Sequence, residues 1–469
     1  MENIPRLHIK LFNLISNVAD DLNMPAYVIG GYVRDHYLNR LNNKVTDIDF
    51  VTVGSGIELA REVASRIDGS SLSVFKQFGT AQVKAGNLDL EFVGARKESY
   101  RRNSRKPIVE DGTLKDDQLR RDLTINALSW SLNKEDFGAL NDPFNGMEDL
   151  HNGLIRTPID PHQTFDDDPL RMMRAIRFAS QLQFYIEEST FEAITEMASR
   201  IEIISKERIL DELNKIVLSP KPSLGFTMLF KTGLLKEIFP EMQRLHGVRE
   251  VNGQRHKDNF WHTLQVLDNV AEVSDDLWLR WAAIMHDIAK PPTQKFQNGI
   301  GWTFHGHDAL GAKWTKRIFR DLGLPLDDRM RYVRKLVLLH LRPIALASEE
   351  VSDSAIRRLI YEAGDDIDDL MTLCRADITS KNEYKVEKYQ NNFDRVERKI
   401  AEVEEIDRIR NWKNPLSGQE IMSALELKPG PVIGDIKDAV KEAILNGDIP
   451  NEHDAAFRYM MKHKDEFLN

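Results

Sequence analysis

The sequence is poor in cysteine, in long apolar runs and in net positive charge. Its single cysteine, Cys374, excludes an internal disulfide and is typical of a protein from a reducing compartment. No stretch approaches the roughly 18 apolar residues of a membrane span, so we expect no membrane-spanning segment. The first residues, MENIPRLHIKLF, lack the apolar core of a signal peptide, so we expect a cytoplasmic protein.

The charge balance argues against a general nucleic-acid-binding surface. The chain of 469 residues carries 64 basic and 74 acidic side chains, a formal net charge of −10. The charge is uneven, however, because residues 96–121 hold nine Lys or Arg against five Asp or Glu. Such a basic segment can bind phosphates within an acidic chain.

The pattern of apolar residues changes along the chain. Short alternating runs such as AYVIGG and TAQVKAG, the latter joined to LDLEFVGA through Gly86 and Asn87, predict strands and a hairpin in the first 150 residues. After about residue 165 apolar residues recur at helical spacing. We therefore predict an α+β fold, with a mixed-sheet head followed by an all-helical neck, body and tail. The expected domains are residues 1–155, 156–222, 223–400 and 401–469.

Two carboxylates lie two residues apart in the apolar stretch DIDFVTV. On a strand Asp47 and Asp49 would project from one face, with Ile48 and Phe50 on the other. Like charges this close need a counter-charge, and Mg²⁺ prefers oxygen ligands of this kind. The alternative is a solvated strand end with two turn-forming aspartates.

The segment GGYVRD, between a predicted strand and a helix, favours the metal interpretation. Gly30 and Gly31 would let the backbone approach a triphosphate, and Arg34 can add a charged contact. Glu91, in the strand LDLEFVGA, is a candidate third carboxylate on the same face.

These motifs and others occur in one order along nearly the whole chain. The further segments are RRDLTINAL, NDPFNGMEDL, DDPLRMMRAIRFA and SKERILDELNKIVLS. The set resembles the polymerase-β-like nucleotidyltransferases of the class II CCA-adding and bacterial poly(A) polymerase family. Leu123 stands where the family usually has Phe, and Asp167 where it usually has Glu.

The resemblance implies an enzyme that adds C, C and A to the 3′ end of tRNA from CTP and ATP without a nucleic-acid template. The catalytic carboxylates would be Asp47, Asp49 and Glu91, with Mg²⁺ on Asp47 and Asp49. The residues implied in nucleotide binding are Gly30, Gly31, Arg34, Arg121, Asp122, Asn126, Asp168, Arg171 and Arg174.

Asp168 and Arg171 are the implied base-recognition pair. Three residues apart on a predicted helix, they would be neighbours on one face. A carboxylate acceptor beside a guanidinium donor matches the base edges of cytosine and adenine, whereas uracil O4 and guanine O6 would face the carboxylate with a lone pair. The alternative is that Asp168, before Pro169, only caps the helix. Arg174 would support Arg171 or be an exposed helical arginine.

The segment from Ala95 to Leu119 is polar and weakly patterned. We expect a mobile loop there, at the position of the flexible loop that CCA-adding relatives keep. The alternative is a disordered surface insertion.

A second set of candidate ligands lies in the helical half. His262, the pair His286–Asp287 and Asp377 resemble the H…HD…D pattern of the HD phosphohydrolases, and His307 and His340 either complete a two-metal site or merely lie nearby. Imidazole with carboxylate suits Ni, Mn, Fe or Zn. An alternative is a metal that only holds the helices together.

Three other functions stay open. One is an A-adding enzyme or poly(A) polymerase of the same family, and another is an HD phosphohydrolase with a nucleotide-sensing head. The third is a catalytically silent RNA-binding module. The intact motifs of the head disfavour the second and the third. The final segment, with KPGPVIG, resembles the tail of CCA-adding enzymes and favours tRNA as substrate. The sequence predicts neither the HD substrate nor the oligomeric state.

Overall fold

The computed structural model describes residues 8–41, 47–101, 104–348, 352–379, 382–407, 409–410 and 412–468. The chain divides into two compact units, residues 1–238 and residues 239–469. None of the helices in these described ranges is both long enough and apolar enough to cross a membrane.

The first unit contains a mixed β-sheet. The strands of this unit are β1 (Ala26–Ile29), β2 (Asp47–Thr52), β3 (Ser71–Phe75), β4 (Thr80–Ala85), β5 (Leu88–Gly94), β6 (Arg96–Arg101), β7 (Ser104–Asp111), β8 (Ser129–Ser131), β9 (Leu140–Asn141), β10 (Leu154–Ile155) and β11 (Tyr185–Ile186). Seven of them form one sheet in the order β3-β4-β5-β2-β1-β8-β9. Within it β2 and β5 run parallel, and the neighbouring pairs are antiparallel.

Helices cover the sheet and then continue the chain. They are α1 (Ile9–Asp21), α2 (Gly31–Tyr37), α3 (Gly56–Ser65), α4 (Leu114–Leu119), α5 (Gly146–Asn152), α6 (Pro161–Asp167), α7 (Leu170–Leu182), α8 (Glu188–Met197), α9 (Lys206–Val217), α10 (Pro222–Lys231) and α11 (Leu234–Ile238). The predicted α+β class, with a mixed-sheet head followed by helices, is confirmed.

Apolar and acidic side chains alternate along β2, and the apolar ones pack into the core of the head. Ile48 and Phe50 are buried, and the Phe50 ring stacks on Phe92 of β5 with 4.9 Å between ring centroids. The opposite face of the strand is left to Asp47 and Asp49, as the two-residue period of a strand requires. The predicted hairpin at Gly86 is also present, because β4 and β5 pair up to Ala85 and Leu88 around it.

The segment after β5 is not the irregular loop that its composition predicts. Strands β6 and β7 pair as an antiparallel ribbon, from Arg96 opposite Asp111 to Arg101 opposite Ser104, and α4 follows. Residues 102 and 103 lie outside the described residues. A two-stranded ribbon that is not part of the main sheet need not alternate apolar and polar residues, so the sequence gives little sign of its strands.

The second unit is almost entirely helical. Its helices are α12 (Pro240–Gln243), α13 (Asn259–Val273), α14 (Leu277–Met285), α15 (Lys290–Thr293), α16 (His307–Leu322), α17 (Asp328–Leu339), α18 (Leu341–Ser348), α19 (Asp353–Ala363), α20 (Ile367–Ala376), α21 (Glu383–Asp407), α22 (Gly418–Leu425), α23 (Pro431–Asn446), α24 (His453–Lys462) and α25 (Lys464–Leu468). Two short hairpins join them, β12 (Glu250–Val251) with β13 (Gln254–Arg255), and β14 (Lys295–Gln297) with β15 (Gly301–Thr303).

The C-terminal helices have a hydrophobic cluster of their own. It includes Leu416, Ile421 and Ile436 with Val440 and Met460, all of them fully buried. Helix α22 begins with a capping box in which Ser417 and Glu420 satisfy each other's backbone N–H groups. The C-terminal helices therefore pack around a core of their own.

Candidate active sites

Three carboxylates meet on one face of the head sheet. In the parallel pair of β2 and β5, Asp49 lies opposite Glu91, and Asp47 lies two residues before Asp49 on the same face. The alternating neighbours Ile48 and Phe50 are buried on the other face. The structure therefore brings together the three carboxylates that the sequence assigns to catalysis.

The electrostatics of this acidic face favour a cation. Burial raises the pKa of the Asp49 carboxyl; Arg121 opposes that shift and the charge of Asp47 adds to it. Loss of solvent likewise raises the pKa of Glu91, and the charge of Asp49 raises it further. A divalent ion with a preference for oxygen ligands would relieve this repulsion, so the residues present fit Mg²⁺.

Gly30 brings the backbone close to the acidic face. Strand β1 pairs with β2 so that Ile29 lies opposite Asp49, and the next residue, Gly30, has a φ of +84°. A Cβ at Gly30 would lie 3.1 Å from Nη1 of Arg121 and 3.5 Å from Oδ2 of Asp49. The backbone conformation therefore favours glycine, and a Cβ there would press on the Arg121 guanidinium.

A chain of hydrogen bonds joins four of the predicted nucleotide-binding residues. Arg34 Nη1 donates to Asn126 Oδ1 at 2.7 Å, and Asn126 Nδ2 donates to Asp122 Oδ1 at 3.0 Å. Arg174 Nε then donates to Asp122 Oδ2 at 2.7 Å. Burial alone would raise the pKa of Asp122, but the charge of Arg174 and the bond from Asn126 hold it well below its ordinary value.

This network surrounds the side chain of Asp122. The resemblance implies that Asp122 helps to bind the nucleotide, yet its side chain is buried and its two oxygens accept from Asn126 and Arg174. Asp122 is thus placed to position Arg174. Arg174 is not the freely exposed helical arginine that the sequence allows, because it also lies 3.6 Å from Glu212.

Asp168 and Arg171 are not both on a helix. Asp168 has extended backbone angles between α6 and α7, whereas Arg171 lies in the first turn of α7. The residue before a proline is disfavoured in the helical conformation, and Pro169 follows Asp168. Asp168 Oδ1 accepts from the backbone N–H of Leu170 at 3.1 Å, so the predicted capping role is present.

The side chains of this pair have other partners. Asp168 Oδ2 lies 2.9 Å from Nη2 of Arg208. Arg171 donates to the carbonyl oxygens of Arg120 at 2.7 Å and Thr164 at 3.3 Å. A guanidinium has five N–H donors, so these two bonds hold Arg171 without using all of its donors.

In the second unit the predicted HD residues converge on Asp287. His262 Nε2 lies 2.9 Å from Asp377 Oδ1 and 3.4 Å from Asp287 Oδ2. His286 Nε2 lies 3.2 Å from the same Asp287 oxygen. Ligand atoms of His262, His286 and Asp287 all lie within 4.8 Å of one another.

His307 and His340 complete a second group on the other oxygen of Asp287. His307 Nε2 lies 3.2 Å from Asp287 Oδ1, and His340 Nε2 lies 3.9 Å from it. These three ligand atoms also lie within 4.8 Å of one another. Asp287 is thus shared by two candidate metal groups, which together we call the HD cluster: His262, His286, Asp287, His307, His340 and Asp377.

The donor set of the HD cluster fits a divalent transition metal. His307 and His340 each donate from Nδ1 to a backbone carbonyl at 2.7 Å, which leaves Nε2 of each ring as the atom that can bind a metal. These two Nε2 atoms face each other at 3.3 Å, an arrangement that a cation between them would stabilise. His286 Nδ1 is held by the Ala283 carbonyl in the same way. Such backbone bonds orient histidine ligands in metal sites.

Hydrogen bonds and nearby charges shift the pKa values of several groups in the cluster. Burial opposes ionisation of Asp287, but His286 and Lys290 hold its pKa well below the ordinary value. Burial would lower the pKa of His262, yet hydrogen bonds to Asp287 and Asp377 raise it to about 9. Burial lowers the pKa of His340 to about 4, and that ring stays neutral.

Several residues of the two sites have no role in the sequence-based prediction. Lys290 Nζ lies 2.5 Å from Asp287 Oδ2, and Thr379 Oγ1 lies 2.9 Å from His262 Nδ1. In the head, Asp117 Oδ2 lies 3.3 Å from Arg121 Nε. The spacing HDIAK, which places Lys290 one helical turn after Asp287, is a signal that could have indicated the lysine.

Family models match the chain in three places. The head domain of poly(A) polymerase matches residues 26–156, the probable RNA and SrmB-binding site of polymerase A matches residues 183–245, and the HD domain matches residues 259–382. An A-adding tRNA nucleotidyltransferase of Deinococcus radiodurans is 30% identical over 445 residues, which are 92% of this chain and 94% of the relative. The chain belongs to the poly(A) polymerase and tRNA nucleotidyltransferase family.

Other proteins of this nucleotidyltransferase family are similar over different spans. An A-adding tRNA nucleotidyltransferase of Aquifex aeolicus is 39% identical over 246 residues, 51% of this chain and 29% of the relative. The crystal structure of the Bacillus stearothermophilus CCA-adding enzyme in complex with CTP superposes with a TM-score of 0.69. It is 21% identical, and the match covers 98% of this chain and 99% of that one. This nucleotidyltransferase thus has the same fold.

Proposed function

We propose that this nucleotidyltransferase adds C, C and A to the 3′ end of tRNA, using CTP and ATP. The observation that carries the proposal is the acidic face of Asp47, Asp49 and Glu91, next to the turn at Gly30 and the guanidinium of Arg121. Carboxylates for metal ions beside a close backbone approach and a cation are what nucleotidyl transfer needs. The relatives named as tRNA nucleotidyltransferases support tRNA as the substrate.

Different residues of the head would hold the metal, accept the proton and contact the triphosphate. Mg²⁺ held by Asp47 and Asp49 would neutralise the triphosphate and activate the attacking 3′ hydroxyl. The hydroxyl oxygen forms a bond to the α-phosphorus, the bond to pyrophosphate breaks, and Glu91, whose raised pKa suits a base, would take the hydroxyl proton. Arg121, beside Gly30, would contact the triphosphate.

Base choice would come from the side chains of Asp168 and Arg171. The carboxylate accepts from the amino group of cytosine or adenine, and the guanidinium donates to the neighbouring ring nitrogen. Arg208 and the Leu170 N–H orient the carboxylate, while the carbonyls of Arg120 and Thr164 orient the guanidinium. Fixed donors and acceptors would reject UTP and GTP, because their O4 and O6 lone pairs would face the carboxylate.

A narrower specificity, addition of A alone, is the second candidate. It is favoured by the names of the two relatives in Deinococcus radiodurans and Aquifex aeolicus. Labelled CTP as the sole nucleotide, offered to tRNA that lacks its CCA end, separates the two. Full CCA addition predicts two incorporated C residues, and A-only addition predicts none.

We also propose a second activity, metal-dependent hydrolysis of phosphomonoesters or 2′,3′-cyclic phosphates at the HD cluster. It rests on the two groups that share Asp287. Divalent ions there would lower the pKa of an attacking water and polarise the phosphate. Water oxygen bonds to phosphorus, the ester P–O bond breaks, and the leaving alkoxide takes up a proton. Lys290, which lies 2.5 Å from Asp287, would balance the charge of that carboxylate.

A further inference from the structure

Three guanidinium groups lie close to the ring of Phe178, in helix α7. The Cζ atoms of Arg177, Arg34 and Arg174 lie 4.0, 4.8 and 5.7 Å from the ring centroid. All three distances are within the roughly 6 Å at which an aromatic face attracts a cation. Phe178 is 8% exposed, and this attraction is stronger where water is excluded. One ring therefore attracts three cations.

The three arginines come from two helices of the first unit. Arg174 and Arg177 belong to α7, which also carries Arg171 of the proposed base-recognition pair. Arg34 belongs to α2, which begins directly after the turn at Gly30. The ring thus connects the helix of base recognition with the helix that follows the proposed triphosphate turn.

Like charges this close repel one another unless they are compensated. Each guanidinium has a carboxylate partner of its own. The pairs are Arg34 with Asp35 at 2.8 Å, Arg174 with Asp122 at 2.7 Å, and Arg177 with Glu212 at 2.9 Å. Burial lowers the pKa of Arg177; Glu212 opposes that shift, and the charges of Arg174 and Arg34 add to it. The negative face of the ring offsets part of this remaining repulsion.

The ring constrains the arginines in a way that the hydrogen bonds do not. Hydrogen bonds to Asn126 and Asp122 fix single nitrogen atoms of Arg34 and Arg174. An aromatic face acts on the whole guanidinium plane, because planar guanidinium groups stack on it. An aliphatic side chain would fill the same space but has no π electrons, so it would lack this effect.

We propose that Phe178 is a positioning residue for nucleotide binding. Its ring holds Arg34, next to the triphosphate turn, and the arginines of α7, next to the base-recognition pair, in one fixed arrangement. The proposal rests on the nucleotidyl transfer proposed above. It adds a residue that acts through the arginines and not on the substrate itself.

The test changes the electrons of the ring and keeps its shape nearly constant. Phenylalanine analogues with one, two or five ring fluorines are incorporated at position 178 of the full chain, because fluorine withdraws electron density from the ring face in steps. Phe178→Leu removes the face altogether. The same analogues at Phe226, a fully buried ring of α10 in the same unit, are the matched control. Isothermal titration calorimetry with CTP and with ATP, in Mg²⁺ and without tRNA, gives each Kd, and thermal unfolding is recorded in parallel.

We expect the Kd for CTP and for ATP to rise in the order of fluorine content, by about fivefold or more for the five-fluorine ring. Phe178→Leu should weaken binding at least as much, whereas the series at Phe226 should change each Kd by less than about twofold. Should Phe178→Leu fail to fold, the fluorinated series still decides. An unchanged Kd across the folded series at position 178, or an equal rise in the series at position 226, would overturn the proposal.

Nucleotide addition to tRNA by the same proteins separates this proposal from the one it rests on. Addition by the wild-type protein, together with a Kd that does not depend on fluorine content, would keep the transferase and refute the role of Phe178. A Kd that rises with fluorine content in a protein that transfers no nucleotide would refute the transferase and keep Phe178 as a positioning residue of a nucleotide site.

Discussion

Asp49 on β2 lies directly opposite Glu91 on the parallel strand β5, so the two carboxylates project from one face of the head sheet. Asp47 is on the same face, and the pKa values of Asp49 and Glu91 are both raised. The proposed chemistry depends on this cluster. It is also the part of the molecule in which single substitutions are most informative.

We predict that Asp49→Ala abolishes nucleotide addition and spares tRNA binding. A carboxylate that holds the metal serves the chemical step, so the rate should fall on the order of 100-fold or more. Affinity for tRNA comes from contacts elsewhere and should change little. Single-turnover addition and filter binding measure the two effects, with exposed Asp68→Asn as a control. Addition by Asp49→Ala at a near wild-type rate would refute the assignment.

We predict that Gly30→Ala impairs use of the nucleotide more than it impairs the fold. Gly30 has a φ of 84° with a ψ of −133°, a conformation that costs a residue with a Cβ on the order of 1–3 kcal/mol. Gly364→Ala, at a φ of 59° and a ψ of −133° in the other unit, would have similar strain without the contact to Arg121. Both variants should lose thermal stability. Only Gly30→Ala should raise the KM for the nucleotide, and an equal KM in the two variants would count against the role of this turn.

We predict that Asp168→Ala and Arg171→Ala each admit UTP or GTP. Fixed hydrogen-bonding pairs supply about 1–3 kcal/mol of discrimination between bases, and each substitution removes half of the proposed pair. The measurement is the relative kcat/KM for the four nucleotides. Because Asp168 also caps α7, thermal unfolding must be recorded in parallel. Lower stability with unchanged selectivity for CTP and ATP would show that the pair is structural.

We predict that Asp287→Ala removes both the bound metal and any hydrolysis at the HD cluster. Both candidate metal groups include Asp287, so its loss should lower the metal content at each. Nucleotide addition should persist, because the acidic face belongs to the other unit. Elemental analysis and phosphatase assays are the readouts, with Asp321→Ala, on the exposed side of α16, as the control. A wild-type protein that binds no transition metal would contradict this account.

The sequence predicts the elements in which apolar and polar residues recur with a regular local spacing. Asp47 and Asp49 alternate with the buried Ile48 and Phe50, and this pattern is enough to place both carboxylates on one face. The turn at Gly86 is equally local. The order of the motifs along the chain then identifies the candidate site residues. The same order predicts the α+β fold and the HD domain.

Other features depend on contacts that no local pattern contains. The ribbon of β6 and β7 has charged residues along both strands, so its pairing is hidden from a search for alternation. The family resemblance implies that Asp122 binds the nucleotide. Only the tertiary structure shows that its side chain is buried against Asn126 and Arg174. The sharing of Asp287 between two groups likewise requires four helices and their connections to meet. The extended conformation of Asp168 can be predicted from Pro169, because a proline disfavours the helical conformation in the residue before it. This effect outweighs the helical spacing of Asp168 and Arg171.

The most direct test of the central proposal is the sequence of the reaction product. Pure full-length protein is incubated with two sets of tRNA transcripts, one ending before CCA and one ending in CC, with all four nucleotides and Mg²⁺, and the 3′ ends are sequenced. We predict that the majority of extended molecules end in CCA. Products without the two C residues, with A added only to transcripts that already end in CC, would contradict the proposal and establish an A-adding enzyme instead.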